Sequence, residues 1–377
     1  MAGMPMIQQM LVSPRIGGGE KLGIEIHRYF TSRWPESTQL LTPAGGDTEN
    51  FAVAERLAFR TYRLDWLLSR NPLLAVLGCL SVLAKLPRNG VLHIHSPFVY
   101  RALRPVLGLT KVTVILHLHL DYSAEDLRWT LWRAPDLVIV CAAFMKSRVT
   151  EALESNRTAA TPVVPVINAV DTVRFAPGDK PAARRKFDVP AQDAVLLMTA
   201  NLAPHKGQET AIKALDLLTR QGGSAQLWLV GEERDRDGLY TRRLHELVAS
   251  LALQSRVKFL GFRNDIPELL HAADYLLLPS TQEGLPLAIL EAQASKVVVL
   301  AAPTAGIPEI IEHGRTGFLV AADDAAGYAT ALQNLLNDRG LAERVASSAF
   351  EQVTTHYTMP RYCSNVAHAY QQLPGFH

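Results

Sequence analysis

The stretch VKFLGFRNDIPELLHAADYLLLPSTQEGLPLAILEAQA, Val257 to Ala294, carries the pattern from which the fold is inferred. A short apolar run, Val257 to Leu260, is followed by a segment of helical period, Ile266 to His271. The order then repeats with the apolar run Tyr275 to Pro279 and the helical segment Gly284 to Ala294. This alternation is typical of βαβ units, whose strands are parallel and whose helices cover both faces of the sheet. The stretch therefore predicts a parallel α/β sheet.

The same alternation extends in both directions along the chain, so each half is predicted to be a doubly wound α/β domain. In the second half the further strands are Val195 to Thr199, Ala225 to Val230 and Val297 to Ala301, and the further helices are Gln208 to Arg220 and Gly238 to Leu251. In the first half the strands are Ile7 to Val12, Gly90 to His95, Lys111 to His117 and Asp136 to Cys141, and the helices are Gly18 to Arg33, Leu67 to Leu86 and Ser123 to Arg133.

The predicted linker is Asp171 to Gln192, where four Pro and Gly residues surround a basic cluster, Arg184 to Lys186. Such density of Pro and Gly is typical of a domain boundary. We expect domains over residues 1–172 and 173–355, and a C-terminal tail over residues 356–377 that could pack back on the first domain. Two sheets facing each other leave a cleft at the carboxyl ends of their strands, where open α/β sheets bind ligands.

Composition limits the classes of function. The 377 residues include 48% hydrophobic and 20% charged residues, as in an ordinary soluble protein. The net charge of +2 is too balanced for a general nucleic-acid binder, so no nucleic-acid partner is expected. The charge is unevenly distributed, with +6 over residues 1–150 and −4 over the remainder.

The compartment is predicted from cysteines and apolar runs. The three cysteines, Cys79, Cys141 and Cys363, show no metal-binding or disulfide spacing, which favours a reducing compartment. No secretory signal is visible at the N-terminus. The longest apolar run, Leu73 to Leu86, contains a lysine and falls short of the roughly 20 residues of a spanning helix. A cytoplasmic location is expected.

The first chemical motif is Gly17-Gly18-Gly19-Glu20, which follows the strand Met6 to Val12 and opens a helix. Exposed N–H groups at such a helix start can bind a phosphate or pyrophosphate. The alternative is a flexible turn that needs glycine for its backbone conformation. The spacing differs from GxxxxGK[ST], so a P-loop enzyme is disfavoured.

The second motif is TANLAPHKG, Thr199 to Gly207, which follows the first strand of the second domain and precedes a helix. The ammonium of Lys206 would lie at the carboxyl end of the sheet, where it could neutralise a diphosphate leaving group. The alternative is a solvated surface lysine.

The third motif is STQEGLPLAILEAQA, Ser280 to Ala294, with Glu283 in a loop and Glu291 about two turns along the following helix. Each carboxylate can accept hydrogen bonds from two hydroxyls, which suits a sugar and a ribose. Backbone N–H groups of Gly284, Leu285 and Leu287 could meet phosphate oxygens. The alternative is a helix-terminal carboxylate plus a solvated helical glutamate.

Together these motifs resemble the family 4 glycosyltransferases (GT4, glycosyltransferase group 1). The resemblance implies a GT-B fold, in which two Rossmann-like domains face each other across a cleft, the first binding the acceptor and the second the nucleotide sugar. It covers the second half nearly end to end, whereas the first half matches only at its glycine loop, its strand order and the strand around His117. The matching segments are GGGE (17–20), VPVINAVDTVRFAP (164–177), LAPHKG (202–207), VGEERD (230–235), the stretch 257–294 and GIPEIIEHGRTGFLV (306–320).

The resemblance implies roles for individual residues. Glu283 and Glu291 resemble the E-x7-E pair that contacts the donor sugar and the ribose, and Lys206 resembles the phosphate-binding lysine. Asn201 replaces the arginine that the family usually has, and Arg15 or Lys21 could supply the missing cation. The implied catalytic residues are His117, Lys206 and Glu283, and the implied donor-binding residues are Gly17, Gly18, Gly19, Asn201, Lys206, Gly261, Phe262, Glu283, Gly284, Leu285, Pro286, Leu287 and Glu291.

His117 ends the strand VTVIL and resembles the cleft histidine of the family, with His119 as the alternative. A hydrogen-bonded core histidine is the other interpretation. His93 and His95 are expected to be structural or to contact the acceptor, and polar lining is favoured over metal binding for this set of histidines.

The charged loop Asp235-Arg236-Asp237 is interpreted as solvated, so no metal and no cofactor beyond the nucleotide-sugar co-substrate is expected.

The resemblance implies transfer from a nucleotide-diphosphate sugar to an acceptor hydroxyl with retention at the anomeric carbon, in cell-surface polysaccharide or glycolipid biosynthesis. The acceptor is expected to be a glycan, a lipid-linked sugar or a small molecule. Two alternatives remain at this point: a GT-B nucleotide-sugar epimerase, and a non-catalytic nucleotide-sugar-binding subunit suggested by Asn201.

Basic and apolar residues interleave at Arg56 to Arg70 and at Phe98 to Lys111. Such stretches can lie on anionic lipid, which would place the protein peripherally on the inner face of the plasma membrane. The alternative is an amphipathic helix packed on its own sheet with its basic side chains in water.

Overall fold

The computed structural model describes residues 5–158, 160–233 and 237–373. The chain forms two compact domains. The first comprises the chain up to Asn168 together with the residues from Met359 onward, and the second is Ala169–Thr358.

The first domain is built on a seven-stranded sheet whose neighbouring strands are all parallel, in the order β3-β2-β1-β4-β5-β6-β7. Helices follow most strands, as the βαβ pattern requires. Numbered in chain order, its strands are β1 (Met6–Met10), β2 (Thr38–Pro43), β3 (Phe59–Tyr62), β4 (Asn89–Ile94), β5 (Lys111–Leu118), β6 (Leu137–Val140) and β7 (Val163–Pro165), and its helices before the linker are α1 (Gly18–Thr31), α2 (Asp47–Ala54), α3 (Leu64–Leu67), α4 (Pro72–Leu83), α5 (Pro97–Leu107), α6 (Ala124–Leu131) and α7 (Met145–Ser155).

The second domain has six strands in the order β10-β9-β8-β11-β12-β13, again all parallel. Its strands are β8 (Ala194–Thr199), β9 (Ala225–Val230), β10 (Val257–Gly261), β11 (Tyr275–Leu278), β12 (Val298–Ala301) and β13 (Phe318–Leu319). Its helices are α8 (Lys180–Lys186), α9 (Gln208–Arg220), α10 (Leu239–Ser250), α11 (Ile266–Ala272), α12 (Leu287–Ala294), α13 (Ile307–Ile310), α14 (Ala325–Asn337) and α15 (Arg339–His356), while the last helix, α16 (Met359–Tyr370), belongs to the first domain.

The predicted fold class, two doubly wound parallel α/β domains, is confirmed. The helix predicted over Leu67 to Leu86 is divided, however. Its second part begins at Pro72, which supplies no backbone N–H to the preceding turn, and the side chain of Asn71 accepts the N–H of Leu73 at 2.9 Å as a cap. Strands β2, β3 and β7, which the sequence analysis did not predict, complete the first sheet. Among the helices in the described part of the chain, none is both long and apolar enough to span a membrane.

The helix predicted from Gly284 begins three residues later. Pro286 has extended backbone angles, φ −71° and ψ 125°, and caps α12, so residues 283–285 form a loop. Glu291 therefore lies about one turn into the helix. The predicted position of Glu291, about two turns along the helix, is wrong.

Gly207 fixes the turn between β8 and α9. Its φ is +77°, and a Cβ at this position would lie 2.1 Å from the carbonyl oxygen of Pro279. Only glycine combines this left-handed conformation with so close an approach of two backbones. The turn therefore ties the loop after β8 to the end of β11.

We expect Gly207→Ala to destabilise the second domain by about 2–4 kcal/mol, because left-handed strain adds to steric overlap with Pro279. Gly222→Ala is the matched control, since Gly222 has φ +87° with open space around it and should cost only about 1 kcal/mol. Urea unfolding followed by circular dichroism measures both. Equal costs would show that the approach to Pro279 contributes nothing.

Candidate functional site

In the second domain, an ion pair joins the loops that follow the adjacent strands β8 and β11. The ammonium Nζ of Lys206 lies 2.7 Å from Oε1 of Glu283. The side chain of Glu283 is 6% exposed and that of Lys206 is 17% exposed. Because neighbouring parallel strands end at the same edge of a sheet, residues 77 positions apart in the chain meet there. The structure thus brings together two of the three predicted catalytic residues.

Backbone hydrogen bonds hold these loops to each other. The N–H of Thr281 donates to the carbonyl of His205 at 2.9 Å. The loop after β12 adds two contacts: the hydroxyl of Thr304 donates to the carbonyl of Ser280 at 2.9 Å, and the N–H of Gly306 donates to the carbonyl of Gly284 at 3.0 Å. The sequence analysis assigned no role to Thr304. Its place just after β12, next to β11 in the sheet, is the signal that could have identified it.

Glu291 lies on the buried side of α12 and is 8% exposed. Glu283, in the preceding loop, is 5% exposed as a whole residue. A buried carboxylate requires a cation or hydrogen-bond donors, and for Glu283 the cation is Lys206. The backbone of Gly284, Leu285 and Pro286 connects the two glutamates and leads directly into the first turn of the helix, at Leu287.

The other predicted donor contacts lie on the same edge of this sheet. Asn201 follows β8 and its carbonyl accepts a hydrogen bond from Gln208 Nε2 at 2.9 Å. Gly261 ends β10 with φ +62°, and its carbonyl accepts the N–H of Gly231 at 2.8 Å. Phe262, the next residue, is 63% exposed. From β10 to β11 the edge spans three strand spacings, about 14 Å.

In the first domain, the glycine loop begins α1. Gly17 is the extended N-cap, and its N–H donates to the carboxylate of Glu20 at 3.2 Å. Gly17 is therefore already hydrogen-bonded, which leaves Gly18 and Gly19 as the loop residues that can offer N–H groups to an anion. Gly19 lies against the ring of His119, since a Cβ on Gly19 would come within 3.3 Å of its Cδ2.

His117 lies elsewhere than the sequence analysis expected. It is fully buried, its two ring nitrogens have no hydrogen-bond partner among the described residues, and its ring is stacked on His119 with centroids 4.2 Å apart. The side chain of His117 is thus enclosed within the first domain, near the end of β5. His119, the alternative, is partly exposed and contacts the glycine loop.

A buried hydrogen-bonded chain fixes the protonation pattern around His119. The oxygen Oε1 of Gln9 lies 3.0 Å from Nε2 of His95, so that nitrogen carries the proton. The other nitrogen, Nδ1 of His95, then accepts the Nε2–H of His119 at 2.9 Å. The amide of Gln9 donates to the hydroxyl of Tyr370 at 3.0 Å, and this hydroxyl in turn donates to Nδ1 of His93 at 2.8 Å. Helix α16 thus orients His119 through Tyr370, Gln9 and His95.

The four histidines are held neutral. Burial lowers the pKa of His93 to about 3 and that of His119 to about 4. Burial, reinforced by the neighbouring imidazoles, lowers the pKa of His95 and of His117 well below the ordinary value. Each ring is therefore a hydrogen-bonding group and not a cation at neutral pH.

His93, His95 and His117 each offer a nitrogen within 4.8 Å of the others, close enough to suggest a metal site. The ring of His93, however, is stacked on the other two at 20° and 11° between planes. Imidazole lone pairs lie in the ring plane, so nearly parallel stacked rings do not aim them at one common ion.

Of the charged loop Asp235-Arg236-Asp237, residues 235 and 236 lie outside the described residues, and the carboxylate of Asp237 accepts the N–H of Leu239 at 3.2 Å.

Comparisons with known proteins bear on the family and the fold. The family model described as "Glycosyl transferases group 1" matches residues 179–352. The chain is 30% identical over 300 residues to a glycogen synthase of Mycobacterium tuberculosis (75% of this chain and 69% of the relative). It is 26% identical over 345 residues to LpsE, a lipopolysaccharide core biosynthesis glycosyltransferase of Rhizobium meliloti (91% and 92%). Among solved structures, Anabaena HepE in complex with UDP and glucose is similar at 23% identity and a TM-score of 0.84, with 98% of this chain and 100% of that chain covered.

We expect Tyr370→Phe to destabilise the first domain by about 1–2 kcal/mol, because it leaves the Gln9 amide and His93 without a buried partner. Tyr362→Phe is the control on the same helix, since the Tyr362 hydroxyl is buried with no hydrogen-bond partner in the described part of the chain, and its loss should be nearly neutral. Urea unfolding by tryptophan fluorescence reports this domain, which holds four of the five tryptophans. Equal effects of the two variants would contradict the proposed chain.

The neutral histidines predict that the first domain is acid-labile. The unfolded chain, with histidine pKa values near 6.5, binds more protons than the folded domain between pH 6.5 and about 4. Stability should therefore fall as the pH drops through this window, by about 1.4 kcal/mol per pH unit for each buried neutral histidine.

Tryptophan-monitored urea unfolding from pH 7.5 to 4.5 measures this slope. His27→Gln is the control, because burial lowers the pKa of His27 to about 4 at a position outside the stack, so its removal should reduce the slope by one histidine. A free energy of unfolding that does not change between pH 6.5 and 4.5 would show that the histidines are not held neutral.

Proposed function

This chain belongs to the glycosyltransferase group 1 family, and we propose that it transfers a sugar from a nucleotide-diphosphate sugar to an acceptor hydroxyl. Its two parallel-sheet domains have the GT-B fold. The observation that carries the proposal is the contact between Lys206 and Glu283 at the carboxyl edge of the second sheet.

The donor site is proposed along this edge. Lys206 supplies the positive charge that a departing diphosphate requires, and Glu283, 2.7 Å away, supplies a carboxylate for the hydroxyls of the transferred sugar. The ion pair keeps both side chains in place before the donor arrives, which lowers the entropic cost of orienting them. The exposed ring of Phe262 lies toward the opposite end of the edge, where it would border the nucleobase, and Glu291 would accept the ribose hydroxyls.

We propose retention of configuration at the anomeric carbon. The bond from the anomeric carbon to the β-phosphate oxygen breaks, and the electron pair leaves with the nucleoside diphosphate. The acceptor oxygen forms its bond on the same face, and its proton passes to the leaving phosphate oxygen. This step requires no enzymic nucleophile, so alignment and charge stabilisation by Lys206 supply the main catalytic contribution.

In the first domain we assign the ligand-contacting histidine to His119 instead of His117. The supporting observations are its partial exposure, its contact with Gly19 and its fixed protonation pattern. Gly18 and Gly19 would offer their backbone N–H groups to a phosphate at the start of α1. Arg15 and Lys21, the candidates to replace the cation absent at Asn201, also belong to this domain.

The printed names of relatives guide the choice of substrates. LpsE acts in lipopolysaccharide core biosynthesis, and a relative from Bacillus anthracis, 26% identical over 304 residues (77% of each chain), is an N-acetyl-α-D-glucosaminyl L-malate synthase. We propose a GT4-type role in polysaccharide or glycolipid biosynthesis at the cytoplasmic face of a membrane, with a glycan, a lipid-linked sugar or a small molecule as acceptor. UDP-glucose, which is bound in a HepE structure, is the first donor to test. We propose that no metal ion is required.

The experiment is a screen of UDP-, GDP- and ADP-sugars by thermal shift and nucleotide release, followed by NMR of the product to determine its anomeric configuration. One donor should stabilise the protein and release its nucleotide diphosphate when an acceptor is present. Turnover should persist in excess chelator. Donor consumption into an isomer without acceptor would indicate an epimerase, and tight binding without turnover would favour a non-catalytic subunit, which Asn201 suggests.

We expect Lys206→Ala to lower kcat by about 10²- to 10³-fold, because the charge developing on the leaving diphosphate loses its cation. Lys213→Ala is the matched control, since Lys213 is an exposed lysine on α9 a few residues away and should retain wild-type turnover. Glu283→Gln should also lower kcat while keeping the shape of the side chain. Wild-type turnover in Lys206→Ala would refute the assigned role.

A further inference from the structure

Helix α4 carries an apolar face that the first domain does not cover. Leu73, Val76, Leu77 and Leu80 recur at helical spacing i, i+3, i+4, i+7 and are 67%, 55%, 39% and 52% exposed. The opposite face holds the buried residues Gly78 and Val82. A Cβ on Gly78 would lie 2.4 Å from the backbone nitrogen of Leu67, so α4 is packed tightly through that side. The exposed leucines are therefore directed away from the domain by the packing itself.

The chain segment that contains this face has an excess of positive charge. Between Asp65 and Asp121 the sequence contains no acidic residue and six basic ones, over residues 66–120. Of the fourteen large hydrophobic side chains exposed among the described residues, eight lie in this same segment. Exposed apolar side chains and an excess of positive charge thus coincide in one segment of the chain.

An open groove of about 500 Å³ adjoins the C-terminal end of α4. Its lining includes Leu83 and Leu86 from the end of α4 and the turn that follows it, the cations Arg88 and Lys111, and Leu109, which is 84% exposed. A groove with two cations beside an apolar helix face offers ligands for a phosphate next to a surface for acyl chains.

The sequence analysis expected the segment Phe98 to Lys111 to bind lipid. Two of its basic side chains instead form bonds within the first domain. Arg101 forms an ion pair with Asp126 at 2.9 Å, and Arg104 is buried and donates to the carbonyl of Thr130 at 3.2 Å. These two arginines bond within the first domain, whereas the alternative interpretation expected the basic side chains to lie in water. The charges that remain for a lipid surface flank α4: Arg70 before it, and Arg88 and Lys111 at the groove.

We propose that the exposed face of α4 docks on an anionic lipid bilayer, with its leucines in the boundary between headgroups and acyl chains. Arg88 and Lys111 then contact lipid phosphates, and Arg70 lies at the headgroup level at the other end of the helix. The charge complementarity selects an anionic membrane over a second copy of the chain, because two such faces would bring like charges together. A helix lying in the interface plane needs this one-sided exposure and not the length of a spanning helix.

The test is cosedimentation of the full chain with phosphatidylcholine vesicles, with and without phosphatidylglycerol, at low and high salt. No nucleotide sugar is present, so the result does not depend on the proposed transferase activity. We expect binding to the anionic vesicles that Leu73→Gln/Leu80→Gln weakens at least about tenfold. Arg88→Gln/Lys111→Gln should weaken binding at low salt and have little further effect at high salt, where the charges are screened.

Leu239→Gln is the matched control, because Leu239 is 59% exposed at the start of α10 in the second domain. It should bind vesicles as the wild type does, and thermal melts of all variants check that each is folded. Two results would overturn the proposal: no preference of the wild type for anionic vesicles, or equal binding by wild type and Leu73→Gln/Leu80→Gln. A concentration-dependent dimer in sedimentation that the double leucine variant abolishes would instead assign this face to a second copy.

Discussion

Parallel strands in a sheet end at the same edge, and the candidate site of the second domain depends on this constraint. Lys206 and Glu283 follow β8 and β11, which are neighbours in the sheet although 77 residues separate the two side chains. The loop after β12 bonds to the loop after β11 through Thr304 and Gly306. No single loop has to fold into a binding site, because the sheet places three short loops side by side.

The ion pair between Lys206 and Glu283 depends on the positions of two loops at this edge of the second sheet. A carboxylate whose side chain is only 6% exposed loses most of its hydration, and an ammonium 2.7 Å away offsets that cost. The pair requires the loop after β8 to approach the end of β11, and Gly207 allows this with its positive φ. The backbone conformation of Gly207 thus permits the approach of two loops that the neighbouring ion pair needs.

The buried polar side chains of the first domain are neutral, unlike the ion pair of the second domain. Four stacked imidazoles replace charged side chains, and burial keeps them neutral. Their hydrogen bonds connect Gln9 on β1 with Tyr370 on α16, so the C-terminal helix takes part in orienting a histidine at the glycine loop. This connection is tertiary, because Gln9 and Tyr370 are 361 residues apart in the chain.

The sequence by itself determined the parallel α/β architecture of both domains and the strands that precede each motif, because apolar runs alternating with helical periods report local burial directly. It also indicated that Lys206 and Glu283 belong at one sheet edge. Only the tertiary structure decided that His119 and not His117 meets the glycine loop, since the two rings stack on the same side of the chain and His119 lies beyond the end of β5 at Leu118. It likewise showed that α4 exposes its leucines, because the apolar pattern of a helix does not indicate which of its faces packs against the rest of the domain.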